Sequence, residues 1–196
     1  MLTGPPGAGK TTTGRRLAAS RTRCAFIDTD DVRRLVVAGA AAPWEGEEGE
    51  RQRTLGAANS SLLAASFAAA GFEVVVADVL SPETAALWRS AMPEVVVVRL
   101  AASETSIREH WPEGHPFITE QERHRLHRTE AERPPTADVV VAVDGLSADA
   151  VASAAERAWA SATSVPSPDS SQIRLGSGHA ASGAREAACR RNGPDP

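Results

Sequence analysis

The stretch Gly4-Pro5-Pro6-Gly7-Ala8-Gly9-Lys10-Thr11 decides how the rest of this 196-residue chain is read. It fits the pattern G-x-x-x-x-G-K-[ST], with Gly4, Gly9, Lys10 and Thr11 in its fixed places. Successive backbone N–H groups must converge on an anionic phosphate, and glycines bend a loop that tightly without a Cβ clash. A helix opening directly after the loop adds its N-terminal partial charge to the anion site. Such a loop holds a nucleoside triphosphate, with ATP expected here. Lys10 reaches the β- and γ-phosphates, the Thr11 hydroxyl ligates Mg²⁺, and Gly4 through Thr12 line the phosphates. The competing reading is a Gly/Pro turn that matches by accident, which average residue frequencies put at roughly one chance in a hundred. Lys10 is also the only lysine of the chain, and it stands at the one position where the motif demands it.

Composition narrows the class. A 42% hydrophobic, 23% charged chain of this length supports one domain with a real core. A net charge of −4 offers no general attraction to nucleic acid or to an anionic membrane. Two cysteines, Cys24 and Cys189, make neither a disulfide framework nor a metal spacing and suit a reducing compartment. No apolar run approaches the ~20 residues of a membrane span. A cytoplasmic protein, monomeric or homodimeric, is expected.

Along the chain, strands and helices alternate. Met1-Leu2-Thr3 is a stub where a strand of about five residues is usual, which favours a start upstream of Met1. Thr11–Ser20 reads as a helix, Cys24–Ile27 as a second strand, and Asp31–Val37 as helical. Gly39–Gly49 reads as a loop whose acidic run is a solvated face, and Glu50–Ala70 as a long helix closed by Gly71. Glu73–Asp78 is a continuous β-branched strand of the kind buried on both faces of a parallel sheet. Ser81-Pro82 starts a helix to about Ala91, Val95–Val98 is the fourth strand, and Glu104–His110 a short helix before a loop, Trp111–Phe117. Thr119-x-x-Glu122 is a capping box opening a basic helix to about Arg133; Asp138–Val143 is the fifth strand and Ser147–Ala162 the closing helix. The alternation argues an α/β fold with a parallel sheet over residues 1–162. Residues 163–196, rich in Ser, Gly, Pro, Ala and Arg without periodicity, read as a disordered tail.

In such sheets ligands bind beyond the carboxyl ends of the strands. The phosphate loop follows strand one, Asp28 and Asp30 follow strand two, and Asp78 follows strand three. Strand-end aspartates often only cap helices, and Asp31 fits that role. Asp28 and Asp30, two apart on an extended segment, can both face the γ-phosphate.

On these residues, together with Asn59 in the long helix, the chain resembles the small P-loop kinases. That group includes shikimate, gluconate and adenylylsulfate kinases, chloramphenicol phosphotransferase and the zeta toxins; the closer resemblance is to actinobacterial AAA-family, kinase-like ATP-binding proteins. The resemblance covers about residues 1–162, and only the phosphate loop is individually specific. It implies a P-loop NTPase three-layer sandwich, a five-stranded parallel sheet in the order 2-3-1-4-5 and a lid over about residues 108–133. It further implies that Asp30 accepts the proton of an acceptor hydroxyl, that Asp28 helps hold Mg²⁺, and that Arg33 faces the acceptor. The acceptor is expected between Arg33, Trp44, Arg53 and Asn59, with Asp78 supporting substrate or metal. Arg108 is the first choice for a lid arginine that neutralises transition-state charge, then Arg123 or Arg128, with Arg125 a further candidate; exposed helix arginines are the plain alternative. His110, His115 and His124 lack zinc spacing. A GTPase is excluded, because no Asn-Lys-x-Asp element exists.

The expected activity is transfer of the γ-phosphoryl group of Mg·ATP to a hydroxyl of a small molecule. Two alternatives stand beside it: a polynucleotide 5′-hydroxyl kinase, suggested by Asp30-Asp31-Val32-Arg33 but opposed by the acidic balance, and an ATP-binding switch without an acceptor.

Overall fold

The computed structural model describes residues 1–111 and 118–163. The loop expected over Trp111–Phe117 lies outside them apart from Trp111, as does the expected tail apart from Thr163. Five strands, β1 (Leu2–Thr3), β2 (Cys24–Asp28), β3 (Glu73–Ala77), β4 (Val98–Ala101) and β5 (Val139–Ala142), form one parallel sheet in the order β2-β3-β1-β4-β5. Seven helices accompany them among the described residues: α1 (Lys10–Ala19), α2 (Thr29–Arg33), α3 (Gly46–Ala69), α4 (Pro82–Ala91), α5 (Glu104–His110), α6 (Glu120–Glu132) and α7 (Ala148–Thr163).

The run of valines in β3 serves two cores. Adjacent strand residues point to opposite faces, so Val75 packs with Leu17 of α1 and Val151 of α7, while Val76 packs with Ala57 of α3 and Trp88 of α4. The sheet is therefore the middle of three layers. Among the described residues no helix is long and apolar enough to cross a membrane.

The two-residue β1 is central despite its length. Leu2 pairs with Ala77 and Val98, and Thr3 with Arg99. Asp78 N donates to Leu2 O (3.1 Å) and Val98 N to Met1 O (2.8 Å). The Met1 amine donates to Val96 O (2.6 Å) and the buried Thr3 hydroxyl accepts from Leu80 N (3.1 Å). Burial pushes the Met1 amine down to a pKa of about 5, against the pull of Asp138.

Several boundaries differ from the sequence reading. β4 begins at Val98, not Val95: Val97 N is taken by the Asp138 carboxylate (2.7 Å) and not by a strand neighbour. The second helix starts at Thr29 and stops at Arg33, because the Asp28 carboxylate caps it by accepting from Asp30 N (3.1 Å). Asp28 and Asp30 thus flank a helix start and do not share an extended segment. α3 begins at Gly46 and draws part of the acidic run into its first turn. Its exposed carboxylates are matched within the helix, Glu48 to Arg51 and Glu50 to Arg53. Gly71, at φ +79°, ends α3 as expected, with Gly71 N and Phe72 N bonded back to Ala68 O and Phe67 O.

Candidate active site

Where the sheet order reverses around β1, the chain leaves for β2 on one side and reaches β4 on the other, which opens a crevice at the carboxyl edge. The phosphate loop fills that position. Gly4 passes so close to β4 that a Cβ there would lie 2.3 Å from Leu100 O, at φ +137°, so no other residue fits. A Cβ at Gly7 would meet Ile107 Cγ2 at 2.7 Å and the Trp111 ring at 3.1 Å, so α5 and Trp111 close on the loop's flank.

Lys10 Nζ donates to Gly4 O (3.0 Å) and Pro5 O (2.9 Å), folding the lysine back over its own loop. Burial lowers its pKa, opposed by Asp30, Asp78, Asp28 and Glu130. The Thr11 hydroxyl donates to Asp28 Oδ2 (2.8 Å), so α1 and β2 contribute one oxygen each to a single point beside the loop. Neutral and anionic oxygens with solvent access suit Mg²⁺, which keeps several waters and takes few protein ligands.

Arg33 is the centre of a charged cluster beside the phosphate loop. One guanidinium nitrogen bonds Asp30 Oδ1, and the other reaches Asp78 Oδ1 at 3.3 Å. Burial works against its charge, but Asp78 and Asp30 outweigh that and hold its pKa above the usual value. Asp78 is 4% exposed, and burial raises its pKa although Arg33 and the Val79 amide (2.8 Å) favour the carboxylate. It therefore meets the site through Arg33, from behind, and not directly as expected. Asp30 stays half exposed. A cavity of about 1000 Å³ opens in front of it and brings together Pro6, Asp30, Arg33, Trp44, Arg53 and Asn59. Gly56 makes room for Arg33: a Cβ there would lie 2.5 Å from Arg33 Cγ.

The arginines expected in the lid divide. Arg123 is 2% exposed, with its guanidinium 5.6 Å from the Trp111 ring centre; Nη2 is 3.8 Å from Glu120, and Nε and Nη1 have no hydrogen-bond partner among the described residues. It is not an exposed helix arginine. Arg128 is exposed, 3.9 Å from Glu132, and does not line the cavity. Arg108 is exposed on α5 beside Ile107 and also stays off the cavity wall. Arg125 does line it. His124 pairs with Glu104 across α5 and α6, and His115 lies outside the described residues.

One contact escaped the sequence reading. Arg99 of β4 grips Glu130 of α6 through two hydrogen bonds, at 2.5 and 2.9 Å, and Glu130 is 6% exposed on the cavity wall. The pair fastens α6 to the sheet. A charged residue inside the otherwise apolar run Val95–Leu100 was the available signal.

Comparison with known proteins agrees with this geometry. A family profile described as an AAA domain matches residues 1–113. Among solved structures, a shikimate kinase from Acinetobacter baumannii in complex with shikimate is 26% identical with a TM-score of 0.58, over 82% of this chain and 91% of that one. A gluconokinase from Sinorhizobium meliloti 1021 is 22% identical with a TM-score of 0.62, over 82% and 90%. A sugar kinase from Janibacter sp. HTCC2649 is 18% identical with a TM-score of 0.63, over 81% and 92%. No curated protein matches. With the profile spanning more than half its length and the 2-3-1-4-5 parallel sheet around a phosphate loop, the chain belongs to the AAA domain family and has the fold of the small P-loop kinases.

Proposed function

We propose that this protein is an ATP-dependent phosphotransferase that moves a phosphoryl group to an alcohol of a small molecule. The observation that carries the reading is Asp30, a half-exposed carboxylate held by Arg33 at the mouth of a cavity whose wall includes Pro6 of the phosphate loop. Phosphoryl transfer needs little covalent chemistry from the protein; positioning and charge neutralisation are most of it. Bound Mg·ATP would supply the transferable phosphoryl group and a cation that offsets its charge.

The chain's own residues divide the remaining work. Gly4 through Thr12 receive the phosphates, and Lys10 exchanges its bonds to Gly4 O and Pro5 O for phosphate oxygens. Thr11 and Asp28 hold the metal side. Arg33 fixes the Asp30 carboxylate so that it accepts the proton of the acceptor hydroxyl as the oxygen attacks, and Asp78 fixes Arg33. Arg123, buried beside Trp111, is the lid arginine we favour over Arg108 and Arg128, because its Nε and Nη1 have no hydrogen-bond partner among the described residues. The setting is cytoplasmic, in keeping with the free half-buried thiol of Cys24.

The test is a screen of ATP consumption against hydroxylated metabolites and antibiotics, followed by transfer kinetics of wild type and Asp30→Asn on the acceptor found. Transfer should fall by roughly 10²–10⁴-fold with ATP affinity retained. Full transfer by the variant would remove Asp30 from the role.

A further inference from the structure

The cavity in front of Asp30 describes its occupant more closely than the fold does. Of the phosphate loop, only Pro6 lines it, so its roughly 1000 Å³ lies on the acceptor side and not in the nucleotide site. That volume stands at the upper end of the ~300–1,000 Å³ range of clefts that bury drug-sized ligands.

Apolar side chains stand among the charged ones on the wall. The segment between α2 and α3 supplies Val36, Val37, Pro43 and Trp44, and the α6 side supplies Ile118 and Leu126. Val37 is 92% exposed and Leu55 of α3, also on the wall, 50%. Val37 and Leu55 thus present apolar side chains to the cleft and to water, and Val36, Pro43, Trp44, Ile118 and Leu126 line it half-buried.

The charges on the same wall are already spent on one another. Glu50 holds Arg53, Glu83 holds Arg133, Glu130 holds Arg99, and Asp30 holds Arg33. Arg34 pairs with Asp31, and the Glu45 carboxylate accepts from Ala42 N at 2.8 Å. Among the described residues, Arg125 is the one cavity-lining cation without a carboxylate partner. A polycationic acceptor would need free carboxylates, and a sugar phosphate or an oligonucleotide several free cations. Neither is provided.

We infer that the acceptor is a drug-sized alcohol with an apolar body and at most one negative charge, its hydroxyl at Asp30 and its body along Val37, Trp44 and Leu126. This rests on the phosphotransfer reading for the hydroxyl, but its test does not. The probe is 1-anilinonaphthalene-8-sulfonate, which joins two apolar ring systems to one sulfonate, titrated by fluorescence into the full chain.

Binding should saturate and weaken about tenfold in Val37→Glu and in Arg125→Ala, both changes at exposed positions that leave the fold intact. It should be unchanged in Leu62→Glu, Leu62 being 69% exposed on α3 and off the cavity wall. Displacement by methyl, butyl and hexyl β-D-glucosides should improve two- to fourfold for each methylene that reaches the wall. Glucose 6-phosphate and the polycationic aminoglycoside kanamycin should displace poorly at the same concentrations.

A flat alkyl series, displacement by either ionic sugar ahead of the hexyl glucoside, or probe binding lost in Leu62→Glu but kept in Val37→Glu would overturn the inference. The two readings then separate cleanly. The displacement pattern without phosphoryl transfer removes only the kinase reading, and transfer to a polyionic sugar removes only this one.

Discussion

Gly56→Ala is a small change that should read out the geometry around Arg33. Gly56 lies inside α3 with no positive φ, so on helix propensity alone alanine should stabilise by about 1 kcal/mol. The structure predicts the opposite sign. The new Cβ would sit 2.5 Å from Arg33 Cγ and 3.1 Å from Cδ, where ordinary contact begins near 3.4 Å, so the arginine stem must retreat by almost an ångström. Its guanidinium is tied to Asp30 and to the buried Asp78, and retreat strains both bonds. Overpacking of this kind costs about 1–3 kcal/mol, enough to outweigh the propensity gain.

A double-mutant cycle isolates the effect. In an Arg33→Ala background the obstruction is gone, and Gly56→Ala should then stabilise by its full ~1 kcal/mol. Urea unfolding of the four chains measures the coupling, expected at about 2 kcal/mol or more. Stabilisation by Gly56→Ala in both backgrounds would refute the placement of Arg33 across this glycine. Where an acceptor is in hand, the same variant should lower its kcat/KM by up to ~10²-fold, the usual result of an ångström's misplacement, with ATP binding unchanged.

Three further outcomes follow from other contacts. Lys10→Met should weaken ATP binding by roughly 10–100-fold in calorimetry without unfolding the chain, since Gly4 and Pro5 stay buried against the sheet when the Nζ bonds are lost. Arg99→Ala leaves Glu130 buried without its partner and should cost about 3–5 kcal/mol in urea unfolding, whereas Arg99→Ala with Glu130→Leu should recover part of that loss. The Met1 amine titrates near 8.0 when unfolded and near 5 when folded, so between those values the unfolded chain binds more protons. Its contribution to stability is therefore complete above pH 8 and is lost as pH falls toward 5, by about 4 kcal/mol at most, which thermal melts across that range would follow and N-terminal acetylation would flatten.

The fold was legible in the sequence because each of its signals is local. Val74–Val76 reads as a buried strand whatever surrounds it, Gly71 as a helix stop, and Thr119-x-x-Glu122 as a helix start. The boundaries that moved depend on partners far away in sequence. β4 begins just after the Val97 amide that Asp138 takes, and α2 begins where Asp28 finds an amide to cap.

The site divides in the same way. Gly4 to Thr11 announces itself through spacing, and Asp28, Asp30 and Asp78 through their places at strand ends. That Asp78 stands behind Arg33 depends on a contact across 45 residues, and Arg99 meets Glu130 across 31, neither of which periodicity reveals. The lid arginines were the least legible, because a helix with cations at 123, 125 and 128 does not say which one turns inward. Packing against Trp111 decides for Arg123.

Lys10, folded back on Gly4 O and Pro5 O, also makes the nucleotide site chemically unique. This sequence carries a single ε-amine. A lysine-directed reagent therefore has one ε-amine to find in this sequence, and it lies in the phosphate loop. A one-adduct mass change, suppressed as nucleotide is added, would measure occupancy of the phosphate loop without an acceptor, a fluorophore or an engineered cysteine.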